Sequence, residues 1–261
     1  MTDLIERLNG KTKAFQEPST EVYTEPETAM TAVNSGYAAL TSNALEIINE
    51  NLKGQKLSSQ LFDVIKSPSG GSTVFMVQDY SGEKAEKELT GIILDYTMPR
   101  AYWDTPDPKE GTPPVCYSTD SIVSFEGKQC ETCMYNDFGS KDGDTNAKAC
   151  KEFVEVILLR PDSIMPVIVR VPTTSKQTFQ RYTLRLVGRM IPIYSLVTKI
   201  TLTKATNKAG QPYALYNFEA IGTLSPEETA RAKAFGLGFK EILKVDKPSV
   251  IIPGVVEEGA A

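Results

Sequence analysis

The chain has 261 residues, 41% of them hydrophobic, a net charge of −5 and no histidine. That length accommodates one large domain, or a domain with additions, around a substantial core. The missing histidine excludes the Ser-His-Asp triad, the Cys-His pair and every histidine-ligated metal centre. No apolar run approaches the ~18 residues that a membrane-spanning helix needs. The opening Met1-Thr-Asp-Leu-Ile-Glu-Arg7 is charged and has no apolar h-region, so we expect no signal peptide and a cytoplasmic protein with reduced thiols. Neither a phosphate-binding G-x-x-x-x-G-K-[ST] loop nor a G-x-G-x-x-G fingerprint is present.

The charge is unevenly distributed. Residues 1–56 carry a net −3, residues 57–149 a net −7, residues 150–224 a net +6 and residues 225–261 a net −1. A basic segment inside an acidic protein is the footprint of a polyanion site, or else a solvated, salt-bridged surface.

In chain order, Gln16 to Thr31 is rich in Pro, Glu and Thr and reads as extended or loosely ordered. Tyr37 to Leu52 has the apolar spacing of an amphipathic helix, stopped by Gly54. Residues 57–80 read as a β-hairpin, with Leu61, Val64 and Ile65 entering a Ser67-Pro-Ser-Gly-Gly-Ser72 turn and Val74 to Val77 returning. The charged residues 81–87 form a surface turn. Residues 88–103 read as one long strand, with Gly91 suited to sharp coiling and Pro99 marking a bulge or the strand end.

The four cysteines follow: Cys116, the knuckle Cys130-Glu-Thr-Cys133, and Cys150. The knuckle spacing lets two thiolates face one ion, and four sulfurs complete a closed tetrahedral zinc site. Four thiolates would also hold an iron–sulfur cluster. Large apolar residues are scarce between the cysteines, so a structural ion would supply folding free energy, on the order of 10 kcal/mol. Asp142-Gly-Asp-Thr-Asn146 lacks the glycine and glutamate of a calcium loop and is read as a polar loop.

Past the cysteines, Phe153 to Leu159 and Pro166 to Val171 form a strand hairpin turned at Pro161-Asp-Ser163. A helix capped by Thr174 or Ser175 comes next. Phe179, Tyr182 and Leu186 form its buried stripe, and Arg181, Arg185 and Arg189 a second, basic stripe. Tyr194 to Lys204 alternates with period two, Asn207 to Gly210 is a hairpin loop, and Tyr213 to Ile221 pairs back. Ser225-Pro-Glu-Glu228 is a complete capping box opening a helix to about Leu243, interrupted at Gly236 and Gly238.

The resulting order is strand, metal insert, strand, strand, helix, strand, strand. We therefore expect a mainly β protein with added helices: an OB-fold-like five-stranded barrel with an inserted zinc ribbon. Residues 1–56 are an N-terminal extension with one helix. Residues 57–225 are the OB-like core, including the insertion at 112–151, and 226–261 are a C-terminal helix and tail. Such a barrel binds single strands by stacking bases on aromatic side chains while cations follow the phosphates. The stacking candidates are Tyr96, Tyr102, Trp103, Tyr194, Tyr213 and Tyr216, with Phe218 assigned to the core. The phosphate candidates are Arg100, Arg160, Arg170, Lys199, Lys204 and Lys208, with Arg170 and Lys199 foremost.

The cysteine segment with its flanks, Pro114 to Asp120, Gly127 to Cys130, Cys133 to Ser140, Lys148 to Cys150, Leu159 to Ser163 and Pro172 to Ser175, resembles phage and mobile-element proteins of replication or recombination modules. These pair a four-cysteine zinc ribbon with an OB-like barrel. The likeness covers residues 88–225 and is similar in plan to the zinc-containing helix-destabilising protein family of T-even phages, which coats single-stranded DNA. That family uses three cysteines and a histidine, an acidic tail and a basic N-terminal arm. This chain has four cysteines, only Glu257 and Glu258 near its end, and no evident arm. The resemblance implies a non-catalytic single-stranded DNA-binding protein with structural Zn²⁺, in the host cytoplasm if phage-encoded, working with replication or recombination proteins. The alternative is a zinc-stabilised protein–protein adaptor that binds no DNA. An enzyme ranks last, because no spacing of Asp and Glu suggests a two-metal site.

Overall fold

A computed structural model describes residues 36–41, 43–53, 55, 57–58, 62–79, 81–105, 112–141, 146–161, 163–207 and 210–244. The readings of Gln16 to Thr31, Leu61, Lys208 and the tail after 244 fall outside them.

The N-terminal helix divides in two, α1 (Ala38–Thr41) and α2 (Ala44–Leu52). A two-residue strand β1 (Leu57–Ser58) follows, then β2 (Val64–Ile65). The expected hairpin over 57–80 does not form. β2 instead pairs in parallel with a distant strand, a 3-10 turn occupies Ser69–Gly71, and β3 (Phe75–Asp79) pairs with β4 (Gly82–Glu86). β3 alternates buried Phe75 and Val77 with exposed Met76 and Gln78, whereas β4, which has no large apolar residue, owes its strand state to that partner. Residues 81–87, expected as a turn, are therefore mostly strand.

β5 (Glu88–Thr97) is the central strand, and Pro99 ends it as expected. A Cβ at Gly91 would lie 2.5 Å from the Leu159 carbonyl oxygen, so glycine permits the close approach of the neighbouring strand. The chain then leaves this sheet. β6 (Arg100–Tyr102), β7 (Cys116–Ser118) and β8 (Lys151–Glu152) form a separate three-stranded sheet in the order β7-β6-β8.

β9 (Val154–Leu159) and β10 (Val167–Val171) return to the main sheet as the expected antiparallel hairpin. Helix α3 (Thr173–Val187) follows, with β11 (Leu196–Thr206), β12 (Pro212–Thr223), α4 (Pro226–Ile242) and the short β13 (Leu243–Lys244), which pairs with β1. α3 buries Phe179, Tyr182 and Leu186 as its periodicity predicts. Its cap differs: Pro172 stands at the N-cap without a side-chain bond, and the buried Ser175 hydroxyl accepts the Tyr216 amide at 3.1 Å. α4 opens on the predicted capping box, in which the Glu228 carboxylate accepts the Ser225 amide at 3.0 Å and the Ser225 hydroxyl accepts the Glu228 amide at 3.2 Å. It runs unbroken through Gly236 and Gly238. A Cβ at Gly238 would meet Leu45 Cδ1 at 2.5 Å, so this glycine serves α2 packing rather than helix interruption.

The fold is mainly β. Its six-stranded sheet has the order β12-β11-β5-β9-β10-β2. Counting β5, β9, β10, β11 and β12 as strands one to five, the first four lie 4-1-2-3, the Greek-key order. The expectation is a partly open five-stranded barrel; among the described residues the strands form an open sheet that does not close. The free edge of the third strand, β10, is taken by β2, with Val64 opposite Ile168 and Ile65 opposite Val169. Instead of a strand closing the sheet, Phe179 of α3 packs edge-on between Tyr96 and Phe218, at ring-centroid distances of 4.9 and 5.2 Å.

Both faces of the sheet are buried. Leu89, Ile93, Val156, Leu158, Val169, Ile200, Tyr216 and Phe218 form the inner core under α3. On the outer face Ile92, Leu94, Leu159 and Val197 pack with Tyr37, Leu40, Ile48, Phe235 and Ile242. Beside them Ile168 packs with Phe62 and Phe239. Two-sided burial explains why Val154–Leu159 and Val167–Val171 read as near-continuous apolar runs.

Candidate functional site

The long connection from the first strand to the second, residues 98–153, builds the cysteine module. Its small sheet places Tyr102 opposite Cys116 and Arg100 opposite Glu152. Ala101, Trp103, Tyr117 and Phe153 form a core of its own. The module therefore draws apolar support from residues flanking the cysteines, which the composition of the cysteine segment alone did not suggest.

Short-range backbone bonds set the four thiols. Asp120 accepts the Ile122 and Val123 amides at 2.8 and 3.2 Å and the Ser118 hydroxyl at 2.9 Å, which folds the loop after Cys116. These donors hold its carboxyl below the usual carboxylate range. The Cys130 amide then donates to Ile122 O at 2.8 Å, and Asn136 Nδ2 donates to Cys130 O at 2.9 Å, shaping the knuckle. The Cys150 amide donates to Tyr135 O at 2.9 Å, which ties the fourth cysteine to the turn after Cys133.

All four cysteines line one cavity of about 20 Å³, together with Arg100, Tyr102 and Asn136. That volume accommodates one ion or one water molecule. Cys130 and Cys150 are buried, Cys116 and Cys133 partly so. Burial pushes the Cys150 thiol up to about 12, the neighbouring thiols push the same way, and Arg100 opposes them. Burial likewise raises Cys116. Among the described residues no group of three or more His, Cys, Asp or Glu side chains stands as a formed metal centre. The thiols share a cavity without being closed on one point.

Arg100 is the second notable wall of this cavity. It is 9% exposed, and its Nη2 donates to Glu152 Oε2. Its Nε and Nη1 are buried without a hydrogen-bond partner. Glu152 is also held by Lys176 Nζ at 2.9 Å.

The expected DNA-binding residues are not gathered into one groove. Tyr216 is fully buried in the inner core, and Trp103 is 7% exposed with its Nε1 donating to Thr112 O at 3.1 Å. Both belong to cores rather than to a stacking surface, and Phe218 is in the core as expected. Tyr96 is half-buried against Phe179. Tyr194 and Tyr213 are half-buried near opposite ends of the β11–β12 hairpin. Tyr102 remains partly accessible, stacked on Tyr135 at 3.9 Å.

Four of the cations are neutralised by carboxylates. Arg100 is held by Glu152, Arg160 by Glu86 through bonds of 3.0 and 3.1 Å, Arg170 by Glu155, and Lys199 by Glu219 at 2.7 Å. Hydrogen bonding to Glu219 raises Lys199 above the usual lysine value. Lys204 is exposed and without an ion pair among the described residues, as are Arg181 and Arg185 on α3 and Arg189, which the stripe reading places on the helix but which lies in the turn after it.

The partner carboxylates escaped sequence reasoning, although hairpin symmetry carries the signal for two of them, Glu155 and Glu219. Residues 155 and 170 flank the 161–166 turn about equally, as 199 and 219 flank the 207–210 loop. Also missed was the exposed apolar surface of the cysteine module: Ile122, Phe125, Met134, Tyr135 and Phe138. Composition gives no signal for exposure. No helix among the described residues is long and apolar enough to cross a membrane. Comparison with protein-family models, with curated proteins and with solved structures gave no match.

Proposed function

We propose that this chain is a non-catalytic protein that coats single-stranded DNA in phage-type replication or recombination, built as an OB-like core with a zinc-ribbon insertion. The observation that carries the reading is the strand order. A Greek key with a fifth strand, a helix between strands three and four, and a cysteine module between strands one and two is the plan of an open OB barrel with an elaborated first loop. That loop is one of the two that flank the oligonucleotide face in such folds.

Cys116, Cys130, Cys133 and Cys150 would hold the ion, and the donor set fits it. Four sulfurs line one cavity, the donor set of a closed zinc site, and the buried Arg100 guanidinium lines the same cavity. When bound, zinc cross-links the segments that carry the four cysteines, a structural role. Because buried Cys150 is a neutral thiol at pH 7, metal uptake releases protons.

The single strand would stack on the accessible aromatics of the module, Tyr102, Tyr135 and Phe125. Arg181, Arg185, Arg189 and Lys204, without an ion pair among the described residues, are the better phosphate contacts, since Arg160, Arg170 and Lys199 already face carboxylates. The test is the salt dependence of oligo-dT binding by wild type and by the Arg181→Gln, Arg185→Gln, Arg189→Gln triple variant. Loss of three phosphate contacts lowers the slope of log K against log salt by about 2. An unchanged slope removes these arginines from the DNA path.

One observation favours an adaptor instead. Ile122, Met134 and Phe138 of the module are 62%, 69% and 71% exposed, more apolar surface than a phosphate-tracking groove needs. A zinc-stabilised protein-docking module would use them and would bind no DNA.

A further inference from the structure

We propose that Arg100 is the charge-compensating, hydrogen-bonding partner of a metal–thiolate centre in the four-cysteine cavity. The inference rests on the metal reading above and assigns a role to a residue outside the ligand set. A divalent ion held by four thiolates carries a net charge of 2−. Such a centre in a largely buried site needs compensating charge and N–H donors to its sulfurs.

Arg100 carries the charge and two N–H groups with no other acceptor among the described residues. It cannot lose its proton, and it is nine-tenths buried in the wall of the same cavity as the four cysteines. Glu152 engages it through Nη2 alone, so Nε and Nη1 have no acceptor among the described residues. Buried guanidinium N–H groups are rarely left in that condition. The arrangement is also held from behind. Lys176 binds the second oxygen of Glu152, so the Arg100–Glu152–Lys176 group is net positive beside the thiols. Position 100 opposes both Ser118 and Glu152 in the small sheet, which fixes the stem of the side chain within the module.

Replacing Arg100 alone would leave Glu152 without its arginine, so the informative comparison uses four variants: Arg100→Gln/Glu152→Gln, Glu152→Gln, Arg100→Lys and Cys130→Ser. Zinc affinity is read by competition with a chromophoric chelator, and ligand character from the thiolate-to-metal charge-transfer bands after Co²⁺ substitution. The double variant should bind zinc about 10- to 100-fold more weakly, the usual effect of removing an outer-shell partner. Its charge-transfer bands should move to lower energy, because thiolates without N–H donors give up electrons more readily. Glu152→Gln should stay within a few-fold of wild type, and Arg100→Lys should recover part of the affinity. Wild-type zinc affinity and unshifted bands in the double variant would overturn the role of Arg100. Failure of the wild-type protein to take up one zinc, or unchanged uptake by Cys130→Ser, would instead overturn the metal reading and this proposal with it.

Discussion

Phe239→Ala tests how firmly the C-terminal helix is part of the core. Phe239 is 2% exposed, packs edge-on to Phe62 at 5.1 Å and stacks on Phe235 at 6.3 Å, over Ile168 of β10. A buried Phe→Ala change costs about 3–5 kcal/mol, covering lost transfer free energy and the residual cavity. Phe62 also comes from a segment far away in sequence, so collapse around the gap would have to shift two elements, which argues for the upper half of that range. At ~2–4 °C per kcal/mol for a chain of this size, Tm should fall by roughly 10 °C or more. Phe239→Leu keeps most of the volume and should cost less than ~1.5 kcal/mol. Urea denaturation followed by circular dichroism measures both. A loss below ~1 kcal/mol for Phe239→Ala would show that α4 does not seal the outer face of β9 and β10, and that this face is open to a ligand.

Other changes probe the module and the sheet. Cys130→Ser should abolish stoichiometric zinc and lower the melting temperature, as measured by atomic emission and calorimetry. Gly91→Ala drives a Cβ to 2.5 Å from the Leu159 carbonyl oxygen and should destabilise by ~1–3 kcal/mol through overpacking, visible as an earlier urea midpoint. Asp120→Ala removes an acceptor that holds three donors. Since the folded-state value of Asp120 is depressed, its contribution is present above the unfolded carboxylate range and is lost as pH falls through the folded value. The stability gap between wild type and Asp120→Ala should therefore be full at pH 6 and shrink toward pH 3, read from paired urea curves.

Features written in local sequence were the legible ones. The α3 stripe of Phe179, Tyr182 and Leu186, the Ser225–Glu228 capping box, the strand break at Pro99 and the two hairpins around 161–166 and 207–210 all follow from spacing and turn chemistry. The convergence of Cys116, Cys130, Cys133 and Cys150 on one cavity follows from their clustering. Long-range partners were not legible. Val64 and Ile65 look like half of a hairpin, yet their strand partner lies about a hundred residues away on β10. The same two residues close off the edge that barrel closure would have used. Tyr216 and Trp103 carry the side chains of a stacking surface, and only burial assigns them to cores. Arg170 and Lys199 sit on polar strand positions, but each stands opposite a carboxylate that single-strand periodicity does not reveal. Position 100 was read as a phosphate contact from its charge. The structure instead buries it in the wall of the cysteine cavity, held by Glu152.

The central claim is that the chain coats single-stranded DNA. The most direct measurement is fluorescence anisotropy of labelled oligo-dT titrated with zinc-loaded protein, against a matched duplex, at low and moderate salt. The account predicts tight binding to the single strand, little to the duplex, and a steep fall with added salt as condensed counterions are released. No binding to either at low salt would contradict it and leave a zinc-stabilised module that recognises protein through its exposed apolar face.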